Sequence, residues 1–372
     1  MGLLRTIRSL GFRLTTCVLA LFMLASCVGG SVGAQDTSGP YRVKWVRETS
    51  QAINSMAFSP DGRILATGGH GIQLWDVQDG SLIREMNTPY KASSLFGFTH
   101  DGTEVISEPV GGRPPTGIAY GFSLVDVKTD QVRSVTSPYG TRAEAVAFTP
   151  SGDVTLALYG PWEKGRIAVY DPKTWQVVRM FAPDQKIGSL MALSPDNTHL
   201  AVTKYPGRVQ IWNYRTGAMV REFEAHPQRI DSLGFMTDGT ALFTTSSGGV
   251  TKDESNNWTA VRKGEEVRIW DMVNGTLLNA CRPDLVIGKF LSRAIAIDDR
   301  NLLFHANDAR SGVLDIQNCQ ETSLPALPLK HWDRPLSISV GGYWAGGSGK
   351  EKQATIYTKV VVFERSQTLG NK

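Results

Sequence analysis

The side chains able to do chemistry are few and widely spaced. Six histidines and four cysteines occur in 372 residues. His70, His100, His199 and His305 fall at irregular places that give no ring of ligands about a common axis, so no metal centre is expected. The chain holds no H-E-x-x-H, C-x-x-C or G-x-x-x-x-G-K-[ST] pattern, and no G-x-S-x-G elbow set between an expected strand and a helix. Gly68-Gly69-His70-Gly71 and Gly346-Gly347-Ser348-Gly349 are glycine-rich, but each lies between expected strands and lacks the following helix that phosphate cradles use. Asp253-Glu254 with Glu265-Glu266 offers oxygen ligands of the kind calcium takes, and a solvated acidic loop is the plainer reading. No catalytic residue and no cofactor is expected. A net charge of +4 and a pI near 8.8 without any Lys/Arg block exclude a phosphate-tracking surface, hence nucleic acid as partner.

A different chemistry is concentrated enough to notice. Arg113, Tyr120, Tyr159, Trp162, Lys164, Arg166, Tyr205, Arg208, Trp258, Arg262, Lys263 and Tyr357 sit in or beside four long insertions. Aromatic rings interleaved with cations are what protein interfaces use as anchors. Whether they form one surface depends on the elements that carry them.

Those elements repeat. The stretch from Ile53 to Met86 reads as four alternating runs separated by Ser59-Pro60-Asp61-Gly62, Gly68-Gly69-His70-Gly71 and Asp79-Gly80, a four-stranded antiparallel meander. Phe58, Phe98, Phe148, Leu193, Phe235, Ile297 and Val340 each precede a comparable turn, which predicts seven repeats. Short turns follow the first and third strands, so the insertions at residues 107–121, 159–166, 246–266 and 346–359 all enlarge the hairpin between second and third strands and project from one rim.

Trp75-Asp76 and Trp270-Asp271, with Trp212-Asn213 close to them and Tyr170-Asp171, Val125-Asp126, Leu314-Asp315 and Phe363-Glu364 keeping part of the pattern, resemble the signature of the WD-repeat β-propeller family. The resemblance covers about residues 41–365 and implies an all-β, seven-bladed propeller of four-stranded antiparallel blades. It also implies that His226 and His331, each ahead of a first strand, hydrogen-bond to a hydroxyl and a Trp. The alternating run Tyr41 to Arg47 has no repeat of its own, and the last repeat supplies three strands. The N-terminal strand is therefore expected to close the ring.

The N-terminus reads as a targeting segment. Arg5, Arg8 and Arg13 precede a short apolar run from Leu14 to Ser26. Leu24-Ala25-Ser26-Cys27 resembles a bacterial lipobox, which implies a signal peptide over 1–26, a lipidated Cys27 and a flexible tether over 27–40. Cleavage after Val32-Gly33-Ala34 is the alternative. Val28 after the Cys resembles an outer-membrane sorting pattern, facing the periplasm. Residues 366–372 read as a polar tail. Cys281 and Cys319 remain as a pair; parity favours a disulfide, but their places, late in a fourth strand and in a turn, put them near opposite ends of neighbouring sheets and argue against one.

The resulting expectation is a non-enzymatic, monomeric scaffold anchored to the bacterial envelope through lipid, binding another envelope protein or peptide through its loop-rich rim. The alternative is an extracytoplasmic hydrolase or lactonase with its site at the mouth of the central channel, which fold alone does not license.

Overall fold

A computed structural model describes residues 41–365, apart from 50–52, 54, 70, 87–94, 109–120, 142, 150, 153–154, 160–164, 186, 253–257, 283–290, 307–310, 324–333, 339–343 and 353–354. The regular elements are all strands. After β1 (Tyr41–Thr49), blade 1 holds β2 (Ser55–Phe58), β3 (Ile64–Gly68), β4 (Ile72–Asp76) and β5 (Leu82–Met86). Blade 2 holds β6 (Leu95–Phe98), β7 (Glu104–Ser107), β8 (Gly121–Asp126) and β9 (Val132–Thr136). Blade 3 holds β10 (Ala143–Phe148), β11 (Thr155–Tyr159), β12 (Gly165–Tyr170) and β13 (Val177–Gln185). Blade 4 holds β14 (Ile187–Leu193), β15 (His199–Lys204), β16 (Arg208–Asn213) and β17 (Ala218–Glu224). Blade 5 holds β18 (Ser232–Phe235), β19 (Ala241–Lys252), β20 (Trp258–Asp271) and β21 (Leu277–Cys281). Blade 6 holds β22 (Leu291–Ala296), β23 (Asn301–Ala306), β24 (Ser311–Asp315) and β25 (Glu321–Ser323). The last three strands are β26 (Arg334–Ile338), β27 (Trp344–Lys352) and β28 (Thr355–Arg365).

The expectation of seven like blades is corrected by this topology. Six blades are self-contained meanders of contiguous chain, and the remaining four-stranded sheet is composite, ordered β1-β28-β27-β26. It has its fourth strand only because the two ends of the domain pair antiparallel, from Tyr41 opposite Arg365 to Thr49 opposite Thr358. The first strands β2, β6, β10, β14, β18, β22 and β26 adjoin one another in that order, and β26 adjoins β2.

The core lies between sheets, as stacked blades require. Trp45, Val360 and Val362 of the composite sheet pack on Leu65 and Trp75 of blade 1. Equivalent clusters join blade 1 to 2, 2 to 3, 3 to 4, 4 to 5 and 5 to 6. The Asp of the signature dipeptide works at the turn after the third strand. Asp76 Oδ1 accepts from the Gln78 amide at 2.6 Å, and Asp271 Oδ1 accepts from Asn274 at 2.7 Å.

A second device crosses from blade to blade. Trp45, Arg84, Arg179, Arg221 and Asn279 occupy one register on their outer strands, opposite Val362, Leu74, Val169, Ile211 and Ile269. Each donates to a carbonyl in the third-strand turn of the next blade. Trp45 Nε1 reaches Val77 O at 2.9 Å, Arg84 Nη1 reaches Val127 O at 3.2 Å, and Arg179 Nη1 reaches Thr216 O at 2.8 Å. Arg221 Nη2 reaches Val273 O at 2.9 Å and Asn279 Nδ2 reaches Ile316 O at 2.6 Å. The left-handed position of that turn is Gly80, Gly217 or Gly275 in three blades, and Asp130, Trp175 or Cys319 in the other three. Where glycine is absent, the side chain itself bonds to the preceding blade. Asp130 pairs with Arg84 at 2.7 Å, and Arg133 lies 5.9 Å above the Trp175 ring.

Cys319 is the covalent member of this series. It is bridged to Cys281, with the two Cα atoms 5.3 Å apart, which corrects the expectation that the pair sits too far apart to join. The reason is the twist of the sheets: an outer strand passes across the third-strand turn of its neighbour. Cys281, two residues beyond Asn279, therefore lies against that turn rather than at its far end.

Candidate partner-binding face

The hairpins between second and third strands end opposite the short turns, and among the described residues two of them have strands that extend beyond the rest of their sheets. Strands β19 and β20 run 12 and 14 residues, whereas β3 and β4 run 5 each. Pairing of β19 with β20 continues from Ala241 opposite Asp271 out to Lys252 opposite Trp258, but β18 and β21 follow only as far as Thr245 and Val267. Among the described residues the outer part is paired as two strands only, an arm beyond the four-stranded sheet. Strands β27 and β28 make a shorter second one, paired out to Lys352 opposite Thr355, while β26 reaches only Gly347 and β1 only Thr358.

The arms carry Trp258, Arg262 and Lys263 on β20 and Tyr357 on β28. Tyr159 ends β11, opposite Arg166 on β12. Arg113, Tyr120, Trp162 and Lys164 lie outside the described residues. The Arg166 guanidinium sits 4.7 Å from the Tyr139 ring centroid. Tyr205, 55% exposed, stands on the blade 4 hairpin.

Arg208 belongs to a tighter arrangement. Glu222 on β17 accepts from Lys204 at 3.1 Å, Arg208 at 2.6 Å and Gln210 at 2.7 Å. Burial opposes its charge, but these three donors outweigh it and hold the carboxyl down at about 2. Arg208 is thus partly engaged in holding blade 4 together, a role sequence position alone does not reveal.

The expected repeat network is complete in one blade. His226 Nε2 lies 2.9 Å from Thr244 Oγ1, which also accepts from Trp270 Nε1 at 2.8 Å. Burial, reinforced by nearby Arg268, lowers the His226 pKa to about 4, so the ring is neutral at pH 7. Trp75 donates to Thr67 Oγ1 at 3.0 Å. Blade 4 has Val202 where the hydroxyl belongs, opposite Gln210, and Trp212 turns to Gln210 Oε1 at 3.2 Å instead. His331 lies outside the described residues.

Among the described residues no group of three or more His, Cys, Asp or Glu is placed to hold a metal ion. Asp253 and Glu254 lie outside them. Glu266, considered above as an oxygen ligand, is nearly buried and paired with both Arg268 and Arg282.

One feature on this face escaped sequence reading. Between the Ile187–Lys204 and Met191–Val202 pairs, three residues of β14 oppose one of β15. This wide bulge opens a cavity of ≈160 Å³ at the hairpin end of blade 4, beside blade 5. The signal was Ile187-Gly188-Ser189-Leu190-Met191, where strict alternation breaks.

The family described as "WD domain, G-beta repeat" matches residues 43–76. The match begins in β1, the outer strand of the composite sheet, and ends at Trp75-Asp76 on β4, so the sequence repeat is offset by one strand from the blade. The chain is 22% identical over 244 residues to "Periodic tryptophan protein 2" of Arabidopsis thaliana, covering 64% of this chain and 24% of that protein. It is 25% identical over 221 residues to "Periodic tryptophan protein 2 homolog" of Dictyostelium discoideum, covering 56% of this chain and 22% of that protein. A shorter stretch of 56 residues is 39% identical to "Pre-rRNA-processing protein crb3/ipi3" of Schizosaccharomyces pombe, covering 15% of this chain and 13% of that protein. These matches span about a quarter or less of the relatives' length.

Proposed function

We propose that this WD-repeat propeller is a non-enzymatic scaffold of the bacterial envelope that binds another envelope protein or peptide through its hairpin face. The observation that carries the binding role is the one-sided lengthening of the hairpins, above all the 12- and 14-residue strands of blade 5. Strand length that outruns the neighbouring strands of its sheet presents edges without a ladder partner in that sheet, which are surfaces for pairing with another chain. An address outside the reducing cytosol is supported by the Cys281–Cys319 bridge. The lipobox-like Leu24 to Cys27 adds an anchor to that reading, with a lipidated Cys27 holding the domain on a bilayer.

The test is capture from cross-linked envelopes, comparing the intact chain with one in which residues 246–266 are replaced by a short Gly-Ser turn. A partner recovered with the intact chain and lost with the replacement supports the scaffold. Equal recovery by both places the binding surface elsewhere and overturns the hairpin assignment.

A further inference from the structure

The cavity at the β14 bulge has features that a packing irregularity does not need. Strand β14 is the innermost strand of blade 4, and its ladder with β15 jumps from Ile187 opposite Lys204 to Met191 opposite Val202. Other inner strands shift by a single residue, as at Ala143/Ala145, or not at all, as in blades 1 and 5. A bulge re-aims side chains and interrupts pairing, and such irregularities concentrate at functional sites. Thr203 partly replaces the lost ladder, its hydroxyl accepting from the Leu190 amide at 3.3 Å. Gly188 keeps this arrangement possible, because a Cβ there would stand 2.3 Å from Thr203 Oγ1.

The cavity's size and lining define its occupant. Ile187 and Ile230 are buried beneath it and Leu190 forms a partly buried wall. At ≈160 Å³ it matches the apolar cavities of about 150 Å³ that accept benzene. That is the volume of one aromatic or branched aliphatic side chain. Charge at the mouth is layered. Arg229 is 70% exposed while its partner Asp231 is only 8% exposed, and Lys204, the other cation of the lining, pairs with Glu222. The face turned to solvent is therefore positive, with the exposed Tyr205 ring beside it.

We propose that this cavity is an anchor site for an extended segment of a protein partner, taking one aromatic or branched aliphatic side chain flanked by acidic residues. This rests on the scaffold reading above and names the sequence chemistry it would recognise. The side chain fills the bulge and displaces water from Ile187, Leu190 and Ile230, while the flanking carboxylates meet Arg229 and Lys204. A cavity of this size holds a single side chain, so the neighbouring residues of the segment run across the hairpin face.

The test selects displayed random short peptides on the immobilised full chain, then measures the winning peptide by fluorescence polarisation. Two variants probe the site from its exposed parts, Ser189→Trp to block the mouth and Arg229→Glu to reverse its charge, with unfolding midpoints confirming that both fold. The expected result is a consensus with one large apolar residue among Asp and Glu, bound about tenfold more weakly or worse by each variant. Failure to enrich such a consensus, or equal binding by wild type and both folded variants, overturns the anchor site. If peptides bind equally to the variants but are lost when residues 246–266 are replaced, the scaffold stands and the anchor falls. If partner capture survives replacement of 246–266 while Ser189→Trp abolishes peptide binding, the anchor stands and the hairpin assignment falls.

Discussion

Thr244 accepts a hydrogen bond from Trp270 and lies within hydrogen-bond distance of His226, all three buried. Thr244→Val keeps the shape and removes the acceptor, leaving a buried indole N–H without a partner. Chemical denaturation should show a loss of about 1–3 kcal/mol. The histidine adds a pH dependence whose sign follows from its lowered pKa. In the unfolded chain it takes up a proton near 6.5, whereas in the fold it does so only near about 4. Its contribution is therefore complete above about 6.5 and is lost as pH falls toward 4, a drop on the order of 2 to 3 kcal/mol. Stability measured across that window should fall in the wild type and flatten in His226→Gln. Glu222 acts in a lower window: its contribution is present above 4.5 and is lost as pH falls toward about 2. Loss between pH 6.5 and 4 that persists in the His226 variant would assign it to other groups.

Strand β1 is the element on which closure depends. Trp45 is buried and its indole N–H donates to Val77 of blade 1, so one residue joins the composite sheet to its neighbour. Trp45→Ala should cost about 3–5 kcal/mol, and removal of residues 41–48 should lower the thermal midpoint of the whole domain in a calorimetric scan. An unchanged midpoint would show that the ring holds without its composite sheet. Strands of this kind were legible in the sequence because period-two alternation and turns such as Ser59-Pro60-Asp61-Gly62 are local signals. Legibility failed where the turn chemistry decays. Ile297 was aligned with Phe58, yet β22 ends at Ala296, and the Ile297 amide already bonds to Asn301 across a shortened turn. Val340 lies outside the described residues. The bulge in β14 was missed because a lost ladder pair is a relation between two strands.

At the scale of the whole molecule the Cys281–Cys319 bridge joins blade 5 to blade 6 across 38 residues of chain. The double variant Cys281→Ser/Cys319→Ser should be less stable by about 2–4 kcal/mol. A reductant should lower the melting temperature of the wild type and leave that variant unmoved; equal response of both would show that the bridge does not form in solution. The bridge is hidden in the sequence for a geometric reason: strand position along one sheet says little about which part of the next sheet the twist brings alongside. The candidate face was legible in outline from hairpin length, but the load carried by Arg208 and Arg166 within the fold was not, because their partners, Glu222 on β17 and Tyr139 in the turn after β9, lie on other elements.

The pairing of Tyr41 with Arg365 also gives the domain a direction. That pair lies at the end of the composite sheet where β26 turns into β27, whereas the long hairpins leave from the opposite end. Tyr41 therefore stands on the side of the ring that carries the short turns. A load applied at Tyr41 acts from that side, and the arms of blade 5 and the composite sheet are turned away from it, like the open side of a cup held by its base.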